Sequence, residues 1–207
     1  MSGDILTDNI AATGERPSNA VLDNIYRRRS VRNFSDKEVS DEIIKELIRA
    51  GTYAPTAVNK QPWRFVVVKN KRLIDEYDER AKKAFVAAYK DTKHPDLIGY
   101  VRNLSKPEVR LFYGAPVLII IFAAPDAMNE HDCALAAENM MLAAQSFGIG
   151  SCWIGLAAGL EYEKEFLKEA GVPEGHKLVA PLIFGYPSKD NLKAPARNSD
   201  VILKWMD

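Results

Sequence analysis

The chain has 207 residues, 47% of them hydrophobic and 27% charged, the make-up of an ordinary soluble protein long enough to bury one core. Lys plus Arg and Asp plus Glu both number 28, so no global field draws the chain to nucleic acid or to an acidic membrane. Cys133 and Cys152 make neither a disulfide framework nor a zinc pattern, and His94, His131 and His176 lie too scattered for a metal site.

The longest apolar run, Ala115 to Pro125, is well short of the roughly 20 residues that a spanning helix needs. The first twenty residues lack the basic-then-apolar layout of a secretory leader. The expectation is a cytoplasmic protein without nucleic-acid or membrane partners. Residues 1–18 read as a loose N-terminal arm, and 19–207 as a single domain.

From Ser18 a helical pattern brings Val21, Leu22, Ile25 and Tyr26 to one face and delivers the chain to Arg27-Arg28-Arg29-Ser30-Val31-Arg32. Guanidinium groups are planar forks of donors that grip phosphate oxygens two at a time, and a serine hydroxyl adds a compact donor beside them. The cluster therefore reads as an anion clamp suited to a terminal phosphate. It reads equally as a solvated basic helix end that complements the helix dipole.

Asn33-Phe34-Ser35-Asp36 is a turn, and Ser40 is an N-cap with Asp41 and Glu42 in the first turn of the next helix. Ile43, Ile44, Leu47, Ile48 and Tyr53 bury one side of that helix, which ends near Gly51, with Val39 placed to staple onto it. The loop Ala54-Pro55-Thr56-Ala57-Val58-Asn59-Lys60-Gln61-Pro62 follows. Its prolines stiffen it, so its amides can meet the edge of a planar heterocycle at little ordering cost. The plainer reading is a helix-to-strand connection in which Asn59 and Gln61 tie up backbone groups.

Trp63 to Val68 predicts a buried strand, Lys69 to Tyr89 a charge-rich helix or helix pair, and Val117 to Ala123 a central strand apolar on both faces. The segment between them, 90–114, is broken by Pro95, Gly99, Pro107 and Gly114 and suits a lid. His131 to Phe147 predicts a helix wrapped on most sides, with Met140 and Met141 as core filler or subunit interface. Gly148 to Gly155 runs from helix into strand, the reverse of a dinucleotide fingerprint, so a Rossmann fold is rejected. A helix over 161–170, a strand over 177–185 and a tail from 186 containing Arg197 complete the chain.

Taken in order, Arg28-Arg29-Ser30-Val31-Arg32, then Ala54 to Trp63, then Gly148 to Gly155, then Arg197 resemble the FMN-dependent nitroreductase family over about residues 20–205. The resemblance implies an α+β fold, a three-layer α/β/α sandwich with a mixed, mainly antiparallel sheet, in an intertwined homodimer. It implies FMN at the dimer interface and NADH or NADPH as the electron donor. Carried residue by residue, Arg28, Arg29, Ser30 and Arg32 match the family's basic-serine motif for phosphate, ribityl and flavin pyrimidine. Pro55, Thr56, Ala57, Asn59 and Gln61 fall in the loop that often reaches the flavin from the other subunit. Ile154 and Gly155 match the backbone beside the isoalloxazine, and Arg197 matches a late phosphate-binding arginine.

This chain departs from the family in carrying Ile154 where Glu or Gly is common, and Pro195 where a basic residue is common. The implied activity is reduction of nitro-compounds, quinones or flavins, with small-molecule electron acceptors. The flavin carries the hydride, so no catalytic side chain is expected. A dehalogenase-like or flavin-fragmenting specialist and a non-catalytic flavin-binding or storage protein are the alternatives.

Overall fold

Residue patterning along β2 (Val117–Ala123) explains the layering of the molecule, seen in a computed structural model that describes residues 19–125, 129–189 and 192–206. Every residue of β2 is buried, and successive side chains point to opposite faces. Val117, Ile119, Ile121 and Ala123 join a core under α2 (Asp41–Thr52) and α5 (Asn129–Ser146). Leu118, Ile120 and Phe122 join a second core under α3 (Lys71–Tyr89), where Phe112 and Phe166 also lie. A sheet apolar on both faces has to be covered twice, and the result is a three-layer α/β/α sandwich.

The sheet has the order β1-β2-β4-β3, with β1 Trp63–Val68, β3 Gly150–Trp153 and β4 Lys177–Gly185, and all three pairings are antiparallel. Among the described residues the parallel component is a single bridge, Ser30 to Ser151, on the outer edge of β3. Between Ile121 and Phe122 the register slips, and Val179 is the extra residue on β4. Pro181 of β4 accepts from the Ile154 N–H at 2.8 Å but has no N–H to return. The Ile154 carbonyl accepts from Ala157 instead, at 2.9 Å, so β3 stops and the chain turns into a 3-10 segment, Gly155–Tyr162.

The helices obey their capping signals, but Tyr53, expected on the buried side of α2, is its C-cap and is exposed. Asn19, Ser40 and Asn70 cap α1 (Ala20–Arg27), α2 and α3 through side-chain oxygens. Residues 69–89 give one helix rather than a pair, starting at Lys71. The 90–114 region holds α4 (Pro95–Leu104), and α6 (Lys164–Glu169) is shorter than the 161–170 pattern because a 3-10 segment precedes it. The expected apolar face of α1 forms but stays open, with Val21, Ile25 and Tyr26 exposed. β1 is half exposed along its middle, as an edge strand, rather than buried. The predicted N-terminal arm, 1–18, lies outside the described residues.

Candidate functional site

The arginine segment leaves α1 and lies along the free edge of β3. The Val31 N–H donates to the Ser151 carbonyl at 2.9 Å, and Gly150 makes the approach possible: a Cβ there would stand 2.6 Å from a Val31 methyl. Extended backbone then sends alternate side chains to opposite sides. Arg28, Ser30 and Arg32 stand close enough to Cys152 to favour its thiolate, although burial dominates and pushes that thiol up. Arg29 and Val31 face the other way and line a cavity of about 620 Å³ with Arg27, Gly148, Gly150 and Lys189.

Each cation is held differently. Arg28 pairs with Glu138 of α5 at 3.5 Å. Arg29 folds back, its Nη1 donating to the carbonyls of Tyr26 at 2.6 Å and Arg28 at 2.7 Å, while its buried Nε has no partner. Arg32 lies 6.0 Å from the Tyr113 ring centroid and lines a second cavity, about 480 Å³, with Lys71, Glu108, Arg110 and Gly114. The cluster thus serves two cavities rather than one.

The proline loop is stiff for a reason beyond its prolines. Val58, Asn59 and Gln61 all have positive φ, which is strained for a β-branched residue such as Val58. Local bonds hold this geometry. The Ala57 N–H donates to Asp132 at 3.2 Å, the Gln61 N–H to Thr56 Oγ1 at 3.3 Å, and Gln61 Nε2 to Asn59 Oδ1 at 3.1 Å. Asp132, buried at the start of α5, anchors the loop from below.

Register separates this loop from the arginines. The loop enters β1 at Trp63, level with Ala123 and Lys177, while Ser30 sits beside Ser151, level with Phe184 and Val117. Six residues along a strand and four strand spacings, the last from β3 to the arginine segment, make a diagonal on the order of 28 Å. A single copy of the chain therefore does not bring Pro55, Thr56, Ala57, Asn59 and Gln61 to its own Arg28, Arg29, Ser30 and Arg32. Arg197 sits exposed in the tail.

The two flavin-edge positions differ from each other. Ile154 is buried in the α3-side core and spends both main-chain groups within the protein. Gly155 is exposed, and a Cβ built on it would meet nothing within 4 Å.

A profile of the Nitroreductase family matches residues 25–186. The chain belongs to the nitroreductase family. An NADH dehydrogenase/NAD(P)H nitroreductase candidate of Archaeoglobus fulgidus is 33% identical over 186 residues, covering 87% of this chain and 96% of its own. A Bacteroides fragilis nitroreductase with bound FMN is 32% identical, with 91% of this chain and 100% of that one aligned at a TM-score of 0.79. A Desulfitobacterium hafniense nitroreductase with bound FMN is 28% identical over 92% of this chain and 100% of its own, at a TM-score of 0.76.

Within this nitroreductase, sequence reasoning missed Lys71, Arg110, Tyr113 and Lys189 as cavity-lining residues. Lys71, Arg110 and Tyr113 follow no hydrophobic period. The one local hint was Tyr113-Gly114, a pair of positive-φ residues just before β2.

Proposed function

We propose that this protein is an FMN-dependent oxidoreductase that takes hydride from NADH or NADPH and reduces nitro-compounds, quinones or flavins. The observation that carries the reading is Arg29 Nε, a buried donor that finds no partner among the described residues, beside a cavity whose described lining includes Arg27, Arg29 and Lys189 and no carboxylate. A buried guanidinium nitrogen left unpaired is costly, and an anionic oxygen would satisfy it. A flavin phosphate, carrying roughly −1.5 to −2 charge at pH 7, fits that donor set. When bound, FMN supplies the hydride-accepting chemistry.

The chain's residues then bind and orient. Arg29, beside Arg27 and Lys189, takes the phosphate from its side of the segment, Arg28 and Ser30 reach phosphate and ribityl from the other side, Arg197 joins from the tail, and Arg32 places a fixed cation toward the pyrimidine, where charge develops on reduction. Exposed Gly155 leaves the flavin edge open, and the backbone of Ile154, already paired within the protein, sets where that edge begins. Pro55, Thr56, Ala57, Asn59 and Gln61 complete the site from a second copy of the chain. Two features support this homodimer. One is the distance between the loop and the arginines. The other is an extended tail whose Leu203, Trp205 and Met206 are exposed, an apolar strip suited to a partner surface.

Purified protein tests the reading by colour. It should copurify yellow or take up one FMN per protomer, and bleach anaerobically with NADH or NADPH. A colourless protein that refuses added FMN overturns the proposal. A yellow one that bleaches with dithionite alone points to the non-catalytic flavin-binding reading.

A further inference from the structure

α3 grips the segment that precedes β2 at successive turns. Lys82, itself buried, donates to the Lys106 carbonyl at 3.3 Å and to Glu79 at 2.9 Å. One turn earlier Asp78, only 2% exposed, uses both carboxylate oxygens. Its Oδ2 accepts from the Leu111 N–H at 2.9 Å, and its Oδ1 from the Phe112 N–H at 2.8 Å. A further turn back, Asp75 pairs with the Arg110 guanidinium at 2.5 Å and with Lys71 at 3.2 Å.

The outcome is a fixed bend. Leu111 and Phe112 are anchored in the core, Tyr113 is held at φ 55, and Arg110 and Tyr113 line the cavity that Arg32 shares. A buried carboxylate is hard to desolvate, and Asp78 is compensated by two consecutive amides rather than by a direct ion pair. An apolar residue there would leave the buried Leu111 and Phe112 amides unpaired, so Asp78 both satisfies them and fixes the position of the 110–113 backbone.

We propose that Asp78 is the positioning residue of the flavin site: by clamping the Leu111 and Phe112 amides it sets Arg110 and Tyr113 against Arg32 at the pyrimidine end of bound FMN. This rests on the FMN reading above. It adds Arg110 and Tyr113 to the ligand surface and gives Asp78 a role exerted through them, without contact of its own.

The test has two measurements on full-length protein. The first is amide hydrogen exchange at Leu111 and Phe112 with and without FMN. Coupling is reciprocal, so if the clamp orders the FMN site, FMN must tighten the clamp and slow exchange at both amides, by about tenfold or more. The second is a double-mutant cycle on FMN affinity with Asp78→Asn and Arg110→Ala. Each single change should weaken binding by about tenfold, and the double variant should be little worse than either, because both act through one element. A product near a hundredfold, or unchanged affinity in Asp78→Asn, overturns the role.

If Asp78→Asn does not fold, exchange in the unaltered chain decides alone, and rates indifferent to FMN overturn the inference. Failure to take up FMN at all overturns the cofactor reading and this one together. Uptake with unchanged exchange overturns only this one.

Discussion

Gly150→Ala tests how the arginine segment is seated. The added Cβ would stand 2.6, 2.7 and 2.8 Å from Val31 Cγ2, Cβ and Cγ1, closer than carbon atoms approach. Val31 is buried and is tied to Ser151, so it cannot simply rotate away. Overpacking of this kind costs about 1–3 kcal/mol. Losing the Val31 to Ser151 bond would account for about 0.5–1.5 kcal/mol of that as the segment lifts. For a chain of this length each kcal/mol lowers Tm by about 2–4 °C, so the melting point of the apoprotein should fall by roughly 2–12 °C. FMN affinity should fall with it, because Ser30 and Arg32 move with Val31. Adding Val31→Ala should restore part of both losses by removing the colliding methyls. Gly155→Ala is the contrast: nothing lies within 4 Å of its Cβ, so stability should hold while FMN binding weakens. Unchanged Tm and FMN affinity in Gly150→Ala would refute the seating of the cluster against β3.

Arg28→Ala should weaken FMN binding at least tenfold, read by flavin fluorescence, since a lost charged hydrogen-bond partner costs about 1.5–3 kcal/mol. Replacing Leu203 and Trp205 together by Asp should shift the protein toward monomer in sedimentation, because both are exposed on the tail and a charge there opposes burial against a partner. The Cys133 thiol, fully buried with Asp132 beside it, is pushed up by burial first and by that carboxylate second, from 9.0 to about 12. Between pH 9 and 12 the unfolded chain has released this proton and the folded one keeps it, so the unfolded state binds fewer protons and stability falls as pH rises. The slope from this group is about 1.4 kcal/mol per pH unit. Thermal melts from pH 8.5 to 10.5 should flatten in Cys133→Ala; an unaltered pH slope would contradict the assignment.

Most of the fold is legible in the sequence because the core elements carry strong local patterns. Trp63–Val68, Val117–Ala123 and Lys177–Gly185 are apolar runs of strand length, and each is a strand with those bounds. Ser40 announces α2 by its cap and by two acids in the first turn. What local patterns do not reveal is pairing. The Val179 bulge and the ending of β3 at Pro181 depend on which strands lie side by side, as does the use of Ser30 as a one-residue extension of the edge.

The candidate site is less legible, for a related reason. Arg28, Arg29, Ser30 and Arg32 are conspicuous because four guanidiniums and a hydroxyl in six residues need an explanation. Arg110 and Tyr113 are not, because what fits them for a ligand is a backbone bend imposed by Asp78 from a helix more than thirty positions earlier. The strained loop at Val58, Asn59 and Gln61 poses the opposite case: a chain keeps costly φ values only where neighbours enforce them, and Asp132 and Thr56 do so here. Yet that loop lies at the far corner of the sheet from its own arginines. Strain maintained at one edge of the sheet, a cation cluster at the other, and apolar side chains left open on α1 and the tail make sense together if two copies of the chain exchange these edges. On that view the exposed Val21, Ile25, Leu203 and Trp205 are the missing half of a core, and the cofactor site and the subunit interface form in the same step.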